Sequence, residues 1–393
     1  MPAMKHHKVG ASGKSEASML PIALRPTRPQ LTAMAIASIV ALTAGLLWSA
    51  STTNLTLSAR DVGGAVMPPG MIMSRDLPGA AMRDMAAVDP NDVSYRASPN
   101  AQGDQVLTPR LEGNVKVFDL EVSVIEWWIL PDKPVLAYAF NHQVPGPRIE
   151  LRQGDRVRIN VTNHLPESST VHWHGLTVPN AMDGPAEVTQ PPIQPGSRFT
   201  YAFDVTQAGT FFYHSHDHPD RQQALGEYGA LIVSPADSSV DNAYSYQYDV
   251  PIQLQEWLVR DGWTFPAMLM DGALPNFFTI NGKSYPATPV LKMRVGERVR
   301  FRFIGTNDNF VHPMHVHGGP FTIIETDGNP VPITARLQKD TVDVGPGERY
   351  DVIWEARLPG KWLLHCHIPH HTTNDNSEEQ GGGGLTMIIQ VSA

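Results

Sequence analysis

Two stretches of the sequence share one pattern: PGSRFTYAFDVTQAGTFFYHSH at residues 195–216 and PGERYDVIWEARLPGKWLLHCH at residues 346–367. In each, a Pro-Gly turn leads into alternating apolar and polar residues, which is typical of half-buried β-strands. Each stretch ends in two histidines separated by one residue. Upstream, IELRQGDRVRINVTN at 149–163 resembles LKMRVGERVRFRFIG at 291–305. The sequence therefore predicts an all-β protein in which one β-sandwich domain occurs twice.

The domain boundaries follow from where this pattern starts and stops. Alternation begins at Leu111 and closes at YGALIVSP (228–235), which predicts a first domain over residues 111–236. It restarts at VPIQLQEWLV and runs to the last residue, which predicts a second domain over residues 245–393. A chain of 393 residues with 32 glycines and 34 prolines fits two turn-rich domains better than one large core.

The amino-terminal residues predict an export and anchoring segment. Residues 31–50 (LTAMAIASIVALTAGLLWSA) are apolar and long enough to cross a hydrocarbon core of about 30 Å. Residues 1–30 carry five cationic residues and one anionic residue, so the positive-inside rule predicts a cytoplasmic tail and an exported remainder. The catalytic domains would then lie in the periplasm or at the cell surface. A cleaved signal peptide is the alternative.

Residues 51–110 are rich in Pro, Gly, Ala, Asp and Ser without a sustained period, which predicts a flexible linker. Two interpretations of its methionines stay open. They belong to a stretch that packs on the body or is disordered, or they form a soft thioether site for Cu(I). The residues are Met67, Met71, Met73, Met82 and Met85.

Histidines are concentrated in four short motifs, two in each predicted domain. On a β-strand, residues i and i+2 point to the same face, so each His-x-His presents two imidazoles side by side. One such pair is weak evidence for a metal site, but four pairs at matching places in two repeats indicate metal binding. The motifs are His172-Trp-His174, His214-Ser-His216, His312-Pro-Met-His315-Val-His317 and His365-Cys366-His367-Ile-Pro-His370-His371.

The single cysteine, Cys366, selects among the metals that imidazole accepts. On a strand its sulfur points away from the imidazoles of His365 and His367, so it belongs to a different metal site. His312 and His371 are the available partners, and two imidazoles with a thiolate form the trigonal ligand set of a blue-copper electron-transfer site. The tripeptide therefore predicts a covalent link between an electron acceptor and a separate cluster.

The overall charge argues against one class of partner. The formal net charge is −9 and the chain has no basic block beyond its amino terminus. The sequence therefore predicts no binding to nucleic acid.

The four motifs, in this order, resemble those of multicopper oxidases over roughly residues 111–393. The resemblance implies cupredoxin-like Greek-key sandwiches and four copper ions for each functional site set. It also implies one-electron oxidation of a small reducing substrate coupled to four-electron reduction of dioxygen to water. A phenol, an aromatic amine or a metal ion such as Cu(I) could be the reducing substrate. Typical members have three such domains, whereas this chain resembles the two-domain members with the blue copper in the second domain.

The resemblance also assigns roles to residues. It implies His312, Cys366 and His371 as type 1 ligands and His172 and His315 as type 2 ligands. The implied type 3 ligands are His174, His214, His216, His317, His365 and His367. Leu385 matches the axial position as a non-ligating residue, with Met387 as the alternative. Asp183 matches a carboxylate that helps to deliver protons, although an aspartate before glycine is also an ordinary turn residue.

Assembly follows from the missing middle domain. Half of the cluster ligands lie in each domain, and the link between the domains is short. Two-domain relatives join the first domain of one subunit to the second domain of the next in a closed ring, so we expect a homotrimer. A copper nitrite reductase and a non-enzymatic copper-binding or copper-sequestering protein are the alternative functions.

Overall fold

The computed structural model describes residues 27–51, 66–68, 79–237, 245–378 and 381–393. Helix α1 spans Arg28–Ser51 and belongs to a unit separate from the rest of the chain. Among the described residues, no helix has both the length and the apolar character that a membrane crossing requires. The transmembrane segment predicted at residues 31–50 is therefore unconfirmed, and the predicted cytoplasmic tail lies almost entirely outside the described residues.

In the first half of the remaining chain, the described residues form ten strands in two sheets. One sheet has the order β1-β3-β6-β8, with β2 and β4 also paired to β3, and the other has the order β5-β10-β9-β7. The strands are β1 (Tyr95–Arg96), β2 (Arg110–Glu112), β3 (Val115–Leu130), β4 (Lys133–Phe140), β5 (Ile149–Arg152), β6 (Arg156–Asn163), β7 (His172–His174), β8 (Arg198–Asp204), β9 (Gly209–His214) and β10 (Tyr228–Ser234).

In the second half, the part of the chain that the structure describes forms thirteen strands in two further sheets. The larger sheet contains β11, β12, β13, β15, β17, β18, β19 and β21, and the smaller has the order β14-β23-β22-β16-β20. The strands are β11 (Tyr248–Arg260), β12 (Trp263–Phe265), β13 (Phe277–Ile280), β14 (Leu291–Arg294), β15 (Arg298–Ile304), β16 (His312–Val316), β17 (Phe321–Thr326), β18 (Asn329–Pro330), β19 (Gln338–Lys339), β20 (Thr341–Val344), β21 (Arg349–Glu355), β22 (Gly360–Cys366) and β23 (Thr386–Ser392).

Helices are short outside α1. The described residues include α2 (Gly79–Asp84) and α3 (Pro219–Gln222). Single 3₁₀ turns lie at Pro90–Asp92, Asn180–Met182, Ile333–Ala335 and Pro369–Thr372. The protein is therefore mostly β, as the alternating sequence pattern predicts.

The two halves repeat one topology. In the first half β5 pairs in parallel with β10, and β9 lies between β10 and β7. In the second half β14 pairs in parallel with β23, and β22 lies between β23 and β16. The strands that carry the His-x-His motifs are thus neighbours in both sheets. Each pair of similar sequence stretches therefore corresponds to strands at matching positions in the two halves: β5–β6 matches β14–β15, and β8–β9 matches β21–β22.

Tryptophans mark the centres of the apolar cores. The two sheets of β1–β10 form the first sandwich, with Trp173 in its core, and the two sheets of β11–β23 form the second, with Trp354 in its core. Trp127 and Trp257 lie in a third cluster, to which strands of both halves contribute. Because this cluster is shared, the two sandwiches pack into one compact unit over Leu55–Ala393.

A buried ionic cluster fastens β9 to the second sandwich. Asp351 accepts hydrogen bonds from Arg300 at 2.5 Å and from Arg302 at 2.9 Å, and its side chain is 1% exposed. The hydroxyl of Thr210, on β9, donates to the same carboxylate oxygen at 2.8 Å. Glu325 accepts a hydrogen bond from the Thr210 backbone N–H at 2.9 Å. These contacts fix the strand that carries His214.

Replacing Asp351 by alanine is expected to lower the free energy of unfolding by about 3–5 kcal/mol, because two buried guanidinium groups lose their shared anion. Urea unfolding followed by circular dichroism measures this change. The matched control is Asp343→Ala, an exposed carboxylate on β20, which should shift stability by no more than about 0.5 kcal/mol. Equal losses in the two variants would contradict a special role for the cluster.

Residues 79–110 differ from the predicted flexible linker. Met85, Ala87 and Val88 are buried, and β1 pairs with β3 of the first sandwich. The prediction of a flexible linker is therefore wrong for this part. The segment lacks a sustained hydrophobic period because it contains little regular secondary structure. Its apolar side chains are nevertheless numerous enough to bind it to the two sandwiches.

The methionines of this segment divide into two groups. Met67, Met82 and Met85 contact an apolar cluster that includes Leu258 and Phe265. This arrangement agrees with the interpretation in which they pack on the body. Met71 and Met73 lie outside the described residues.

Candidate metal centres

Strands β7 and β9 bring the first set of histidines together. His172 pairs across the ladder with His214, and Trp173, which lies between His172 and His174, points into the core. The ring centroid of His172 lies 5.6 Å from that of His174 and 5.4 Å from those of His214 and His216. The period of two along β7 thus turns two imidazoles outward, beside His214 at the end of β9 and His216 just after it.

Strands β16 and β22 form a matching second set. His315 pairs across the ladder with His365, and their ring centroids are 5.6 Å apart. The ring of His367 also lies 5.6 Å from that of His315, and Nε2 of His317 lies 3.0 Å from Nε2 of His365. A concavity of about 630 Å³, lined by His315 and His317 among others, opens beside this set.

Backbone carbonyl groups orient several of these rings. Because a carbonyl can only accept, the Nδ1 atom facing it carries the proton and Nε2 is left as an acceptor. Four imidazoles share this arrangement and so present Nε2 to a metal. The contacts are His172 to Asp183 (2.7 Å), His214 to Ser215 (2.7 Å), His315 to Asp340 (2.8 Å) and His365 to Cys366 (2.8 Å).

His174 is oriented differently, by packing. Its ring stacks on Phe212 at 4.4 Å, and its Nδ1 lies 3.3 Å from Nε2 of His214. It also meets the turn at Gly347, where a Cβ atom would stand 3.1 Å from His174 Cε1. Gly347 of the second sandwich therefore packs against His174 of the first, and the Nδ1 atom of His174 faces His214.

Burial favours the neutral form of several of these imidazoles. It lowers the pKa of His174 to about 3, with the nearby Arg349 acting in the same direction. Burial also lowers the pKa of His214 well below its usual value, and it lowers the pKa of His317 and His365. Neutral imidazole is the form that binds metal, so the rings are prepared for it at neutral pH.

A second kind of centre lies inside the second sandwich. The Sγ atom of Cys366 lies 3.8 Å from Nδ1 of His312 and 3.6 Å from Nδ1 of His371, and the two nitrogens are 3.0 Å apart. All three side chains are buried. The three donor atoms converge on one point, as a trigonal copper site requires.

The protonation states of this centre follow from its burial. Burial raises the pKa of the Cys366 thiol to about 12 and lowers the pKa of His371 to about 3. Without a cation Cys366 is therefore a neutral thiol and His371 a neutral imidazole, and a bound metal ion would deprotonate the thiol.

The tripeptide His365-Cys366-His367 connects the two kinds of centre. Cys366 pairs with Met314 and points into the core, whereas His365 pairs with His315 on the opposite face. This is the arrangement that the two-residue period of a strand predicts.

The backbone of Leu385 is hydrogen-bonded directly to two residues of the Cys366 centre. Its carbonyl accepts from the N–H of Cys366 at 3.0 Å, and its N–H donates to the carbonyl of His371 at 2.9 Å. Met387 pairs with Leu364, two residues before Cys366. Both side chains are buried in the same apolar core.

Asp183 lies beside the first set of histidines. Its carbonyl accepts from His172, and its carboxylate oxygen Oδ1 lies 3.5 Å from Nδ1 of the same ring. The side chain is 34% exposed, so it contacts both the histidine and solvent.

Sequence reasoning missed Glu256, which is fully buried with its Oε1 atom 3.1 Å from Nε2 of His312. A signal was available, because this acidic residue lies inside the apolar strand VPIQLQEWLV. A charged residue in a buried strand is unusual and marks a functional or paired position.

Comparison with known proteins identifies the family. Models described as multicopper oxidase match residues 121–238 and 264–377. The structure is similar to a blue copper oxidase from Nitrosomonas europaea, with a TM-score of 0.63, 34% identity, and coverage of 70% of this chain and 85% of that chain. It is also similar to the multicopper oxidase mgLAC, with a TM-score of 0.65, 33% identity, and coverage of 70% and 86%. The chain belongs to the multicopper oxidases.

Laccases are among the curated relatives. Laccase-1 of Cryptococcus neoformans var. grubii is 33% identical over 241 residues, which are 55% of this chain and 38% of that protein. The chain spans about two fifths of the length of the curated relatives that it matches. Family membership implies copper as the metal, and the donor set fits it, because imidazole and thiolate are ligands that copper prefers.

Proposed function

We propose that this protein is a laccase-like oxidase that couples one-electron oxidation of a small donor to reduction of dioxygen to water. The observation that carries the proposal is the two-faced tripeptide at the end of β22, in which one strand joins a buried His₂Cys centre to an outward-facing histidine set. An electron that reaches Cys366 has a covalent route through the backbone to His365 and His367.

Bound copper would supply one-electron redox chemistry at the buried centre and oxygen reduction at the histidine sets. The family pattern assigns His312, Cys366 and His371 to a type 1 ion, and His172 and His315 to a type 2 ion. It assigns the other six histidines to a type 3 pair, which makes four ions in each site set. The ring orientations support metal binding at both histidine sets, because His172 and His315 present Nε2 and His174 presents Nδ1.

Asp183 is proposed to move protons. Reduction of dioxygen to water consumes four protons, so a solvent-contacting carboxyl group beside a cluster ligand has a chemical use. Its carbonyl holds the His172 ring in one tautomer, and its partly exposed carboxylate lies 3.5 Å from Nδ1 of that ring.

The assembled site is proposed to need a second chain. In the described ranges, no ring contact and no common group of metal-binding side chains joins the first histidine set to the second. Large apolar side chains are exposed in segments that lie close in sequence to residues of each set. Val188 lies in the loop that follows Asp183, and Ile333 and Leu337 precede β20, which pairs with the strand of His315. We propose a homotrimer in which each cluster combines the first sandwich of one subunit with the second sandwich of the next.

The donor is proposed to enter near the buried centre. A cavity of about 260 Å³ is lined by Met268, Met270, Asp220 and Asp308, and by Asn309, whose amide donates to Glu256 at 2.7 Å. Its apolar and thioether surface suits an aromatic ring, and its carboxyl groups suit a hydroxyl or amine. The same groups could hold Cu(I).

Oxygen uptake by the copper-loaded protein against a panel of phenols, aromatic amines, Cu(I), Fe(II) and Mn(II) tests the function. We expect a blue band near ~600 nm, consumption of one dioxygen for about four electrons, and no release of peroxide. No uptake with any donor would overturn the proposal. The family models and the relatives named above do not support the nitrite reductase alternative, and nitrite reduction without oxygen uptake would be needed to revive it.

Replacing Leu385 by methionine is expected to lower the reduction potential of the type 1 centre. A thioether in the axial position donates to copper and stabilises its oxidised form, which should shift the reduction equilibrium about tenfold, or about 59 mV for one electron. A redox titration of the blue band measures the shift. Met387→Leu is the matched control and should leave the potential unchanged, whereas a shift in that variant alone would make Met387 the axial residue.

Membrane attachment through residues 31–50 stays a prediction, as does export of the two sandwiches. Carbonate extraction of membranes from cells that express the full chain separates an anchored protein from a released one. A chain that starts near residue 51 in the soluble exported fraction would favour the cleaved signal peptide.

A further inference from the structure

Glu256 lies at the far end of a type 1 histidine. His312 directs Nδ1 toward Cys366, and its other ring nitrogen, Nε2, lies 3.1 Å from Oε1 of Glu256. Both side chains are 0% exposed. Within the described residues, His312 Nε2 has no hydrogen-bond partner of good geometry, so this carboxylate is the group available to it.

Neutral N–H donors hold the carboxylate in place. The Asn307 amide donates to Oε1 at 3.0 Å, the Phe310 backbone N–H donates to Oε1 at 3.0 Å, and the Asn309 amide donates to Oε2 at 2.7 Å. In the described part of the chain, its partner at ion-pair distance is His312 rather than a lysine or arginine.

A carboxylate in this environment has no evident structural advantage. Burying an anion is costly, and an apolar side chain of similar volume usually serves stability as well or better. The loop 307–310 supplies N–H donors to the carboxylate of Glu256. The ring that also contacts this carboxylate is that of His312, a proposed copper ligand. A second partner of this kind fixes the ring orientation of a metal-bound histidine and raises its basicity.

We infer that Glu256 is a positioning residue that orients His312 and lowers the reduction potential of the type 1 centre. The inference rests on the proposed function. The carboxylate attracts the Nε2 proton, which increases the electron density that Nδ1 offers to the metal. An electron-rich ligand stabilises Cu(II) more than Cu(I), so the carboxylate lowers the potential.

Two variants with opposite expected signs test the inference. In Glu256→Gln the negative charge is lost, and we expect the reduction equilibrium to rise about tenfold, or about 59 mV. In Asn309→Leu the carboxylate loses an N–H donor and becomes a stronger acceptor for His312, so we expect a fall of about threefold. A merely structural role predicts the same direction of change in both variants, because both disturb the same loop.

Redox titration of the blue band is the principal measurement, with copper content and thermal unfolding recorded for each variant. Asp104→Asn is the matched control: it removes a buried carboxylate that contacts Arg148 and Gln253, so it should leave the potential unchanged. If Glu256→Gln does not fold, the fall in potential of Asn309→Leu still tests the inference.

The outcomes separate the inference from the function on which it rests. A wild-type protein that binds copper without a blue band overturns the proposed type 1 centre. A blue wild-type protein with an unchanged potential in Glu256→Gln, or with a raised potential in Asn309→Leu, overturns the role of Glu256 alone.

Discussion

Replacing Cys366 by serine is expected to abolish the blue band and to reduce oxygen uptake by more than about a thousandfold, a change of about 4 kcal/mol in the activation free energy. Cys366 supplies the sulfur of the buried group that it forms with His312 and His371, and it is the start of the covalent route to His365 and His367. Serine is nearly the same size but binds copper poorly at neutral pH. The measurements are the absorption spectrum, the copper content and oxygen uptake.

The control for local packing is Met314→Leu, because Met314 faces Cys366 across the ladder in the same core. A volume-conserving exchange of this kind usually costs less than about 1.5 kcal/mol of stability. We expect the control to keep its colour and its uptake. Cys366→Ser should retain the copper held by the histidine sets. Oxygen uptake near the wild-type rate in Cys366→Ser would contradict the proposed electron route.

Mixed trimers of two inactive variants are expected to regain activity. His216→Ala damages the first histidine set and His317→Ala damages the second, so each variant alone should be inactive. In a ring where each cluster combines neighbouring subunits, every mixed trimer has three clusters, and one of them joins the intact first set of one variant to the intact second set of the other. We therefore expect about one third of wild-type uptake. Co-expression with two different affinity tags and tandem purification isolate the mixed trimers.

The control pairs His172→Ala with His216→Ala, which both lie in the first set. No arrangement of these two chains creates an intact cluster, so no activity should return. Absence of recovery in the first pair as well would show that each cluster is completed within one chain. Light scattering of the purified wild-type protein checks the trimer independently.

The sequence was sufficient for the fold of the two repeats. Local alternation is a property of each strand, and it predicts the positions of β8, β9, β21 and β22 without knowledge of their partners. The segment at residues 79–110 was misjudged because its order comes from burial against the sandwiches. A hydrophobic period in the sequence reveals a strand or a helix, but it does not reveal an irregular segment that packs against the rest of the protein.

The separation of the two sites was also readable in the sequence. A strand sends neighbouring side chains to opposite faces, so His365-Cys366-His367 had to divide between a core-facing sulfur and two outward imidazoles. Only the tertiary structure decided what surrounds each of them. It brought His312 and His371 within 4 Å of the sulfur, placed Glu256 behind His312, and set Gly347 of one sandwich against His174 of the other. The backbone period fixes a direction for each side chain, whereas contacts between residues far apart in the chain depend on how the sheets pack.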